Sequence, residues 1–238
     1  MKTVLITGGS RGIGKAMVEL FCLRGYSVAF TYKSSYDAAR ELSERTGALA
    51  IKADSRIESE IFNAVEIARK KLGNIEILIN NAAVSSFSLF TDVTTDAWRD
   101  MFSVNVDGAF LYTKAVLTDM IKNHSGRIIN VSSMWGITGS SCEVCYSTTK
   151  AALIGMTKAL AKEVGPSGIN VNCIAPGMID TEMNAHLSKE DIKAFADETP
   201  LMRIGTPHEV AEAALFLAGY GASFITGQIL GVNGGFVI

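Results

Sequence analysis

Asn105, Ser133, Tyr146 and Lys150 are the residues of this sequence best suited to chemistry, the last two one helical turn apart in Tyr146-Ser147-Thr148-Thr149-Lys150. That spacing puts a phenol and an ammonium on one helix face. A cation beside a phenol favours the phenolate, so the pair predicts a Tyr146 pKa below the ~10 of free tyrosine and a general acid or base for ketone chemistry. A solvated surface pair at i,i+4 is the structural alternative, and the rest of the chain decides between the two.

The elements that must position these groups read as an alternation of short β-branched runs and longer helical patterns. This is the signature of an α/β fold, a doubly wound parallel sheet with helices on both faces. Strands are expected near 2–7, 27–32, 48–52, 76–80, 126–132, 169–175 and 228–232, and helices near 12–24, 36–46, 57–72, 96–122, 145–165 and 207–218. The four prolines, at 166, 176, 200 and 207, leave the first 165 residues without a linker signal, so residues 1–238 are read as one domain. The irregular stretch 177–206 is polar and helix-prone, with Ser188-Lys189-Glu190-Asp191 reading as a capping box; following a strand, it is expected to be a lid. In the segment 96–122, Trp98, Met101, Phe102, Asn105, Val106 and Ala109 form an apolar face interrupted by one amide.

Composition narrows the partners. With 22 basic and 24 acidic residues and a formal charge of -2, the chain carries no basic stripe for nucleic acid. The opening MKTVLITGG lacks a signal peptide's longer apolar region, and no apolar run reaches the ~18 residues of a membrane span, so a cytoplasmic protein is expected. Cys22, Cys142, Cys145 and Cys173 are read as free thiols, since the single C-x-x-C has no second pair for zinc and does not follow a first strand. His124, His186 and His208 are too scattered to form a local metal site, and none is expected.

After the first strand comes Thr7-Gly8-Gly9-Ser10-Arg11-Gly12-Ile13-Gly14, a turn in which glycines permit tight reversal, close approach of a pyrophosphate and a helix N-terminus aimed at it. A strand that holds NAD through the adenosine ribose usually ends in a carboxylate. Here the second strand ends Tyr32-Lys33-Ser34, so Lys33 and Arg11 favour a 2′-phosphate, hence NADP(H) over NAD(H).

TGGSRGIG at 7–14, Asn80-Asn81-Ala82-Ala83, Asn105, Ser133, Tyr146, Lys150 and Asn172-Cys173-Ile174-Ala175-Pro176-Gly177 stand in the order and spacing of the short-chain dehydrogenase/reductase family, which the whole chain resembles. The resemblance implies a single-domain Rossmann fold and hydride transfer between a nicotinamide and a carbonyl carbon. It makes Tyr146 the proton donor and Ser133 a hydrogen-bond donor to the same oxygen. Lys150 binds the nicotinamide ribose and lowers the Tyr146 pKa, while Asn105 positions a water. Ser132 is an alternative to Ser133, but the family's spacing of thirteen residues before the tyrosine selects Ser133. For the cofactor, the resemblance implies Gly8, Ser10, Arg11, Ile13 and Gly14 at the pyrophosphate and adenosine, Lys33 at the 2′-phosphate and Asp54 with Ser55 at adenine. Asn81 falls by a ribose, and Ile179 with Thr181 at the carboxamide. Structural alternatives are a strand-end turn for Asp54, a backbone brace for Asn81 and a helix cap for Thr181. Ala83 stands where the family usually has glycine, a change tolerated unless that backbone requires positive φ.

Segments Gly126-Arg127-Ile128-Ile129, Pro200–Gly205 and Ile225–Gly235 resemble bacterial 3-oxoacyl-[acyl-carrier-protein] reductases of fatty-acid synthesis. This implies a β-keto thioester substrate on an acidic carrier, docked by two arginines beside the active-site mouth. The aligned positions hold His124 and Ser167, which weakens that attraction. Ser132-Ser133-Met134-Trp135-Gly136 with Ser141–Tyr146 also resembles reductases of the 5-aminopentanone group on a lysine of elongation factor P, where Glu143 and Trp135 would meet an amine. A non-catalytic NADP-binding sensor or scaffold is the reading from another class. The family resemblance further implies a homotetramer built on helices 96–122 and 145–165.

Overall fold

The computed structural model describes residues 2–185 and 187–238; His186 lies outside them. The strands are β1 (Thr3–Ile6), β2 (Ser27–Tyr32), β3 (Leu49–Lys52), β4 (Ile77–Asn80), β5 (Gly126–Val131), β6 (Ile169–Pro176) and β7 (Ile229–Val232). They form one parallel sheet in the order β3-β2-β1-β4-β5-β6-β7. The central strands Thr3–Ile6 and Ile77–Asn80 are buried throughout, as expected for strands covered on both faces. Alternation divides the core. Val4, Ile6, Ile77 and Ile79 face one layer, and Leu5 and Leu78 face the other. The first layer is closed by α1 (Gly12–Leu23), α2 (Tyr36–Thr46) and α9 (Pro207–Ala218). The second is closed by α3 (Glu58–Leu72), α5 (Gly108–Lys122) and α7 (Val144–Val164).

The direction of winding reverses between β1 and β4, which opens a crevice outside their carboxyl ends. The glycine turn follows β1 and Asn81 follows β4, so both lie at that crevice. Beneath it, a buried polar ladder fixes the strand ends. Asn80 Nδ2 donates to Thr113 Oγ1 at 3.0 Å and to Asn130 Oδ1 at 2.9 Å, and Asn130 Nδ2 donates to Thr157 Oγ1 at 2.8 Å.

The expected helix over 96–122 is divided. α4 (Thr95–Phe102), capped by Thr94, runs into a π turn at Ser103–Asp107 before α5 resumes. The π turn buries Val104 and Asn105. A mid-helix π bulge of this kind is common at functional positions, and periodicity alone does not reveal it. The 177–206 segment contains α8 (Lys189–Glu198), and the capping box at Ser188 and Asp191 is formed. Its two ends are stitched together where Asp180 N donates to Gly205 O and Gly205 N to Met178 O, both at 2.9 Å. At the far end Arg203 grips Glu209, whose carboxyl falls to about 2 chiefly through that hydrogen bond. No described helix is long and apolar enough to cross a membrane.

Candidate active site

The glycine turn is built to bring backbone close to backbone. Gly8 (φ +64°) and Gly12 (φ +51°) occupy left-handed conformations. At Gly14 a Cβ would stand 2.2 Å from Gly8 O and 2.6 Å from Asn81 Nδ2, so only glycine fits. Asn81 is the backbone brace: Nδ2 donates to Thr7 O at 2.9 Å and to Gly8 O at 3.1 Å, which commits both amide hydrogens. α1 then begins with no side-chain cap and no acidic residue in its first turn, leaving its N–H groups for an anion. This cradle fits a dinucleotide pyrophosphate. Thr181 and Glu182 lie across it, 3.4 and 3.5 Å from where a Gly12 Cβ would stand, so the Ile179–Thr181 segment meets the glycine turn. Ala83 is not among the residues with positive φ, which is why alanine is accommodated there.

Ser133 follows β5, and α7 begins at Val144 beside it, so the carboxyl ends of the central strands present both catalytic candidates to the same crevice. The Ser133 hydroxyl lies beside the Tyr146 phenol, close enough to act on its titration. Ser133 Oγ also accepts from Trp135 N at 3.1 Å. Ser132 faces the other way, donating to Lys150 O at 2.7 Å, so the site hydroxyl is Ser133's. Lys150 is 2% exposed, with Nζ donating to Val131 O at 2.8 Å and lying 5.6 Å from the Tyr146 ring centroid.

This geometry corrects the expected titration of Tyr146. Burial pushes the phenol up to about 12; the Ser133 hydroxyl opposes the rise, and the negative charge of Glu143 adds to it. Lys150 Nζ stands over the Tyr146 ring and donates to Val131 O. Burial instead lowers Lys150 itself to about 8. Without a cofactor, therefore, Tyr146 is held as the acid.

The Asn105 side chain is held by protein partners. Its Nδ2 donates to Val84 O at 2.9 Å and Thr149 Oγ1 at 3.0 Å, and its Oδ1 accepts from Val84 N at 2.8 Å. Both amide hydrogens are thereby used, one of them to hold the segment after β4 at Val84, and Thr149, which donates to Tyr146 O at 2.8 Å, joins that clamp to α7.

Lys33 ends β2 as expected, but its Nζ lies 2.8 Å from Asp54 Oδ2. Asp54 is accordingly a paired carboxylate. Partial burial acts to raise its pKa, yet hydrogen bonds from Lys33 and Arg56 bring it below the ordinary range. Ser55 is buried beside Asp54, while Ser10 and Ile13 sit in the turn and α1 with Arg11 exposed between them.

Sequence reasoning missed Arg56 and two aromatic rings. Phe195 of α8 and Phe236 of the C-terminal tail gather against Trp135, with centroids 6.4 and 5.7 Å from the indole and 6.2 Å from each other. The three come from distant segments, so no local pattern foretells the cluster. All four cysteines are free thiols, and Cys142 adopts φ +61° with its carbonyl accepting from Ser88 N.

His124 and Ser167 precede β5 and β6, so they lie at the opposite end of the sheet from Ser133 and Tyr146 of the same chain. This corrects their expected place beside the active-site mouth. In a parallel sheet every loop entering a strand lies at one end and every loop leaving it at the other.

A dinucleotide-sized crevice with a Ser-Tyr-Lys cluster at its mouth defines an oxidoreductase class, and comparison with known proteins agrees: the chain belongs to the short-chain dehydrogenase/reductase family and acts on a CH–OH/C=O pair. The family model described as enoyl-(acyl carrier protein) reductase matches residues 8–237. The chain is 41% identical over 240 residues to the uncharacterized oxidoreductase YmfI of Bacillus subtilis, covering 98% of each protein. It is 42% identical over 239 residues to the 3-oxoacyl-[acyl-carrier-protein] reductase FabG of Aquifex aeolicus, covering 98% of this chain and 96% of that one. A solved double mutant of a Serratia marcescens short-chain dehydrogenase/reductase superposes with a TM-score of 0.92 at 34% identity, covering 99% and 97% of the two chains.

Proposed function

We propose that this protein is an NADPH-dependent ketoreductase that converts a 3-oxoacyl thioester to its 3-hydroxyacyl product in fatty-acid synthesis. The observation that carries the chemistry is the convergence of Ser133, Tyr146 and a buried Lys150 whose Nζ lies 5.6 Å from the Tyr146 ring centroid. The acyl substrate is supported by full-length similarity to proteins named 3-oxoacyl-[acyl-carrier-protein] reductase.

Gly8, Ser10, Arg11, Ile13 and Gly14 would cradle the pyrophosphate and adenosine at the α1 N-terminus, with Lys33 and Arg11 at the 2′-phosphate. Asp54 and Ser55 would meet adenine, and Ile179 and Thr181 the nicotinamide side, while Asn81 shapes the cradle. When bound, NADPH supplies the hydride for the carbonyl carbon. Tyr146, protonated at neutral pH, donates its proton to the carbonyl oxygen as charge develops there. Ser133 Oγ donates to the same oxygen, its orientation fixed by Trp135 N. Lys150 supplies positive charge beneath the ring and, with a ribose within reach, orients it. The 177–206 segment acts as the lid of a single domain. We further propose a cytoplasmic homotetramer; the half-exposed Phe110 on α5, with Tyr220 and Phe224 exposed near the C-terminus, supports contact between copies.

A second reading rests on Glu143, whose charge reaches the Tyr146 hydroxyl. A carboxylate there suits a ketone that carries an amine, such as 5-aminopentanone on a lysine of elongation factor P. Membership of an enzyme family weighs against a non-catalytic sensor.

NADPH oxidation is to be followed with a short 3-oxoacyl thioester, its carrier-linked form and the aminoketone-modified factor. Turnover of the thioesters at least ~100-fold above the modified factor, a difference of about 3 kcal/mol in kcat/KM, is expected. Preference for the modified factor, lost in Glu143→Gln, would replace the first reading with the second.

A further inference from the structure

The adenosine end of the cofactor crevice holds a chain of four charges from three segments: Lys33 just after β2, Asp54 and Arg56 in the loop between β3 and α3, and Asp100 on α4. Lys33 Nζ takes Asp54 Oδ2 at 2.8 Å. Arg56 reaches the other oxygen twice, its backbone N at 3.1 Å and its Nη1 at 3.2 Å. The rest of the guanidinium is turned away, with Nε at 2.5 Å and Nη2 at 2.7 Å from the two oxygens of Asp100. Asp100 thus receives the planar bidentate fork, and Asp54 receives a single longer guanidinium contact. The Asp54 side chain is 15% exposed and the Arg56 side chain 25%, so their contact is sheltered, whereas Asp100 is 51% exposed and Lys33 is 55% exposed and free to swing.

The consequence concerns the group that Lys33 serves. A 2′-phosphate takes hold of Lys33 only by drawing it from Asp54, and it then faces that carboxylate at close range. A 2′-hydroxyl meets no such penalty, because a carboxylate accepts from it. Whatever neutralises Asp54 therefore favours the phosphate, and whatever leaves it bare favours the hydroxyl. Arg56 is the other cation on Asp54, and Asp100 decides how much of Arg56 is available.

We propose that Arg56, with Asp100 as its competitor, sets the preference of this protein for NADP(H) over NAD(H) by governing how tightly Asp54 holds Lys33. The inference rests on the assignment of the crevice to NADP(H). Arg56 acts here as a positioning residue and Asp100 as a second one, outside contact with the cofactor.

Binding of NADP+ and of NAD+ to the full chain, each titrated by calorimetry without a ketone, tests the inference. In Arg56→Gln the ratio of NADP+ to NAD+ affinity is expected to fall about tenfold, since Asp54 keeps Lys33 and stands otherwise uncompensated. In Asp100→Asn the fork is released to Asp54, and the ratio is expected to rise about threefold. Two charges that merely sum their fields at the phosphate would give independent effects; the arrangement here requires the effect of Asp100→Asn to shrink once Arg56 is glutamine, to what its charge exerts directly on Lys33. Should Arg56→Gln fold poorly, Arg56→Lys keeps the charge without the fork and is expected to lower the ratio about threefold. A wild-type chain that binds NAD+ as tightly as NADP+ overturns the cofactor assignment. A wild-type preference for NADP+ that survives unchanged in the Arg56 variants, or additive effects in the double variant, overturns the role of Arg56 alone.

Discussion

At the scale of single residues, the catalytic types were legible and their electrostatics were not. The Tyr146 and Lys150 spacing follows from helix geometry, but the sign of a pKa shift depends on how much water burial removes. Tyr146 sits at about 12 and Lys150 at about 8, both through burial first. A lysine whose folded pKa is depressed binds fewer protons folded than unfolded, so stability rises with pH from about 8 towards the unfolded value of 10.5. Tyr146, raised from 10.0, contributes the opposite slope between about 10 and 12, where stability is lost. Lys150→Met removes the first slope and leaves the second. The thermal midpoint of wild type relative to Lys150→Met is therefore expected to climb between about pH 8 and pH 10. A difference that stays flat across that window would show that Lys150 is not held in a desolvated site.

At the scale of elements, the seven strands fall within about two residues of their sequence ranges, the central ones because parallel strands buried on both faces are continuous apolar runs. The Ser188 capping box was legible for a similar reason, since Ser188 and Asp191 interact within one turn. What escaped was non-local: the π turn that buries Asn105 answers to Val84 and Thr149, and the aromatic cluster joins residues 135, 195 and 236. That cluster fastens α8 to the turn whose backbone N at Trp135 orients Ser133. An aromatic contact of this type contributes about 0.5–1.5 kcal/mol beyond area burial, so Phe195→Ala is expected to raise local opening of α8 some two- to tenfold. Amide hydrogen exchange over residues 189–198 measures it, with α1 as an internal reference. Equal exchange in the variant and wild type would mean that α8 is held by the Met178–Gly205 stitching and the Arg203–Glu209 fork without help from the rings.

At the scale of the whole molecule, parallel winding divides the chain into two ends with different duties. The leaving end carries the glycine turn, Asn81, Ser133 and the start of α7; the entering end carries the Asn123–Ser125 and Gly165–Gly168 turns. These two turns touch, since a Cβ on Gly168 would stand 2.6 Å from His124 O, and His124 itself is exposed at φ +49°. Strand β5 lies between the ends, a span of roughly 20 Å at ~3.3 Å per residue. Under the acyl-thioester reading, a carrier held at His124 and Ser167 would present its ketone to another copy's crevice. On that reading, His124→Arg with Ser167→Arg is expected to raise kcat/KM for the carrier-linked ketone about tenfold at low salt, through faster encounter with an acidic partner. The short thioester, which needs no docking, is expected to be unchanged. The gain should also vanish on dilution below the concentration at which sedimentation shows the oligomer to dissociate. A gain that persists in the monomer would place the docking surface and the crevice within reach of each other on one chain, contrary to the parallel topology.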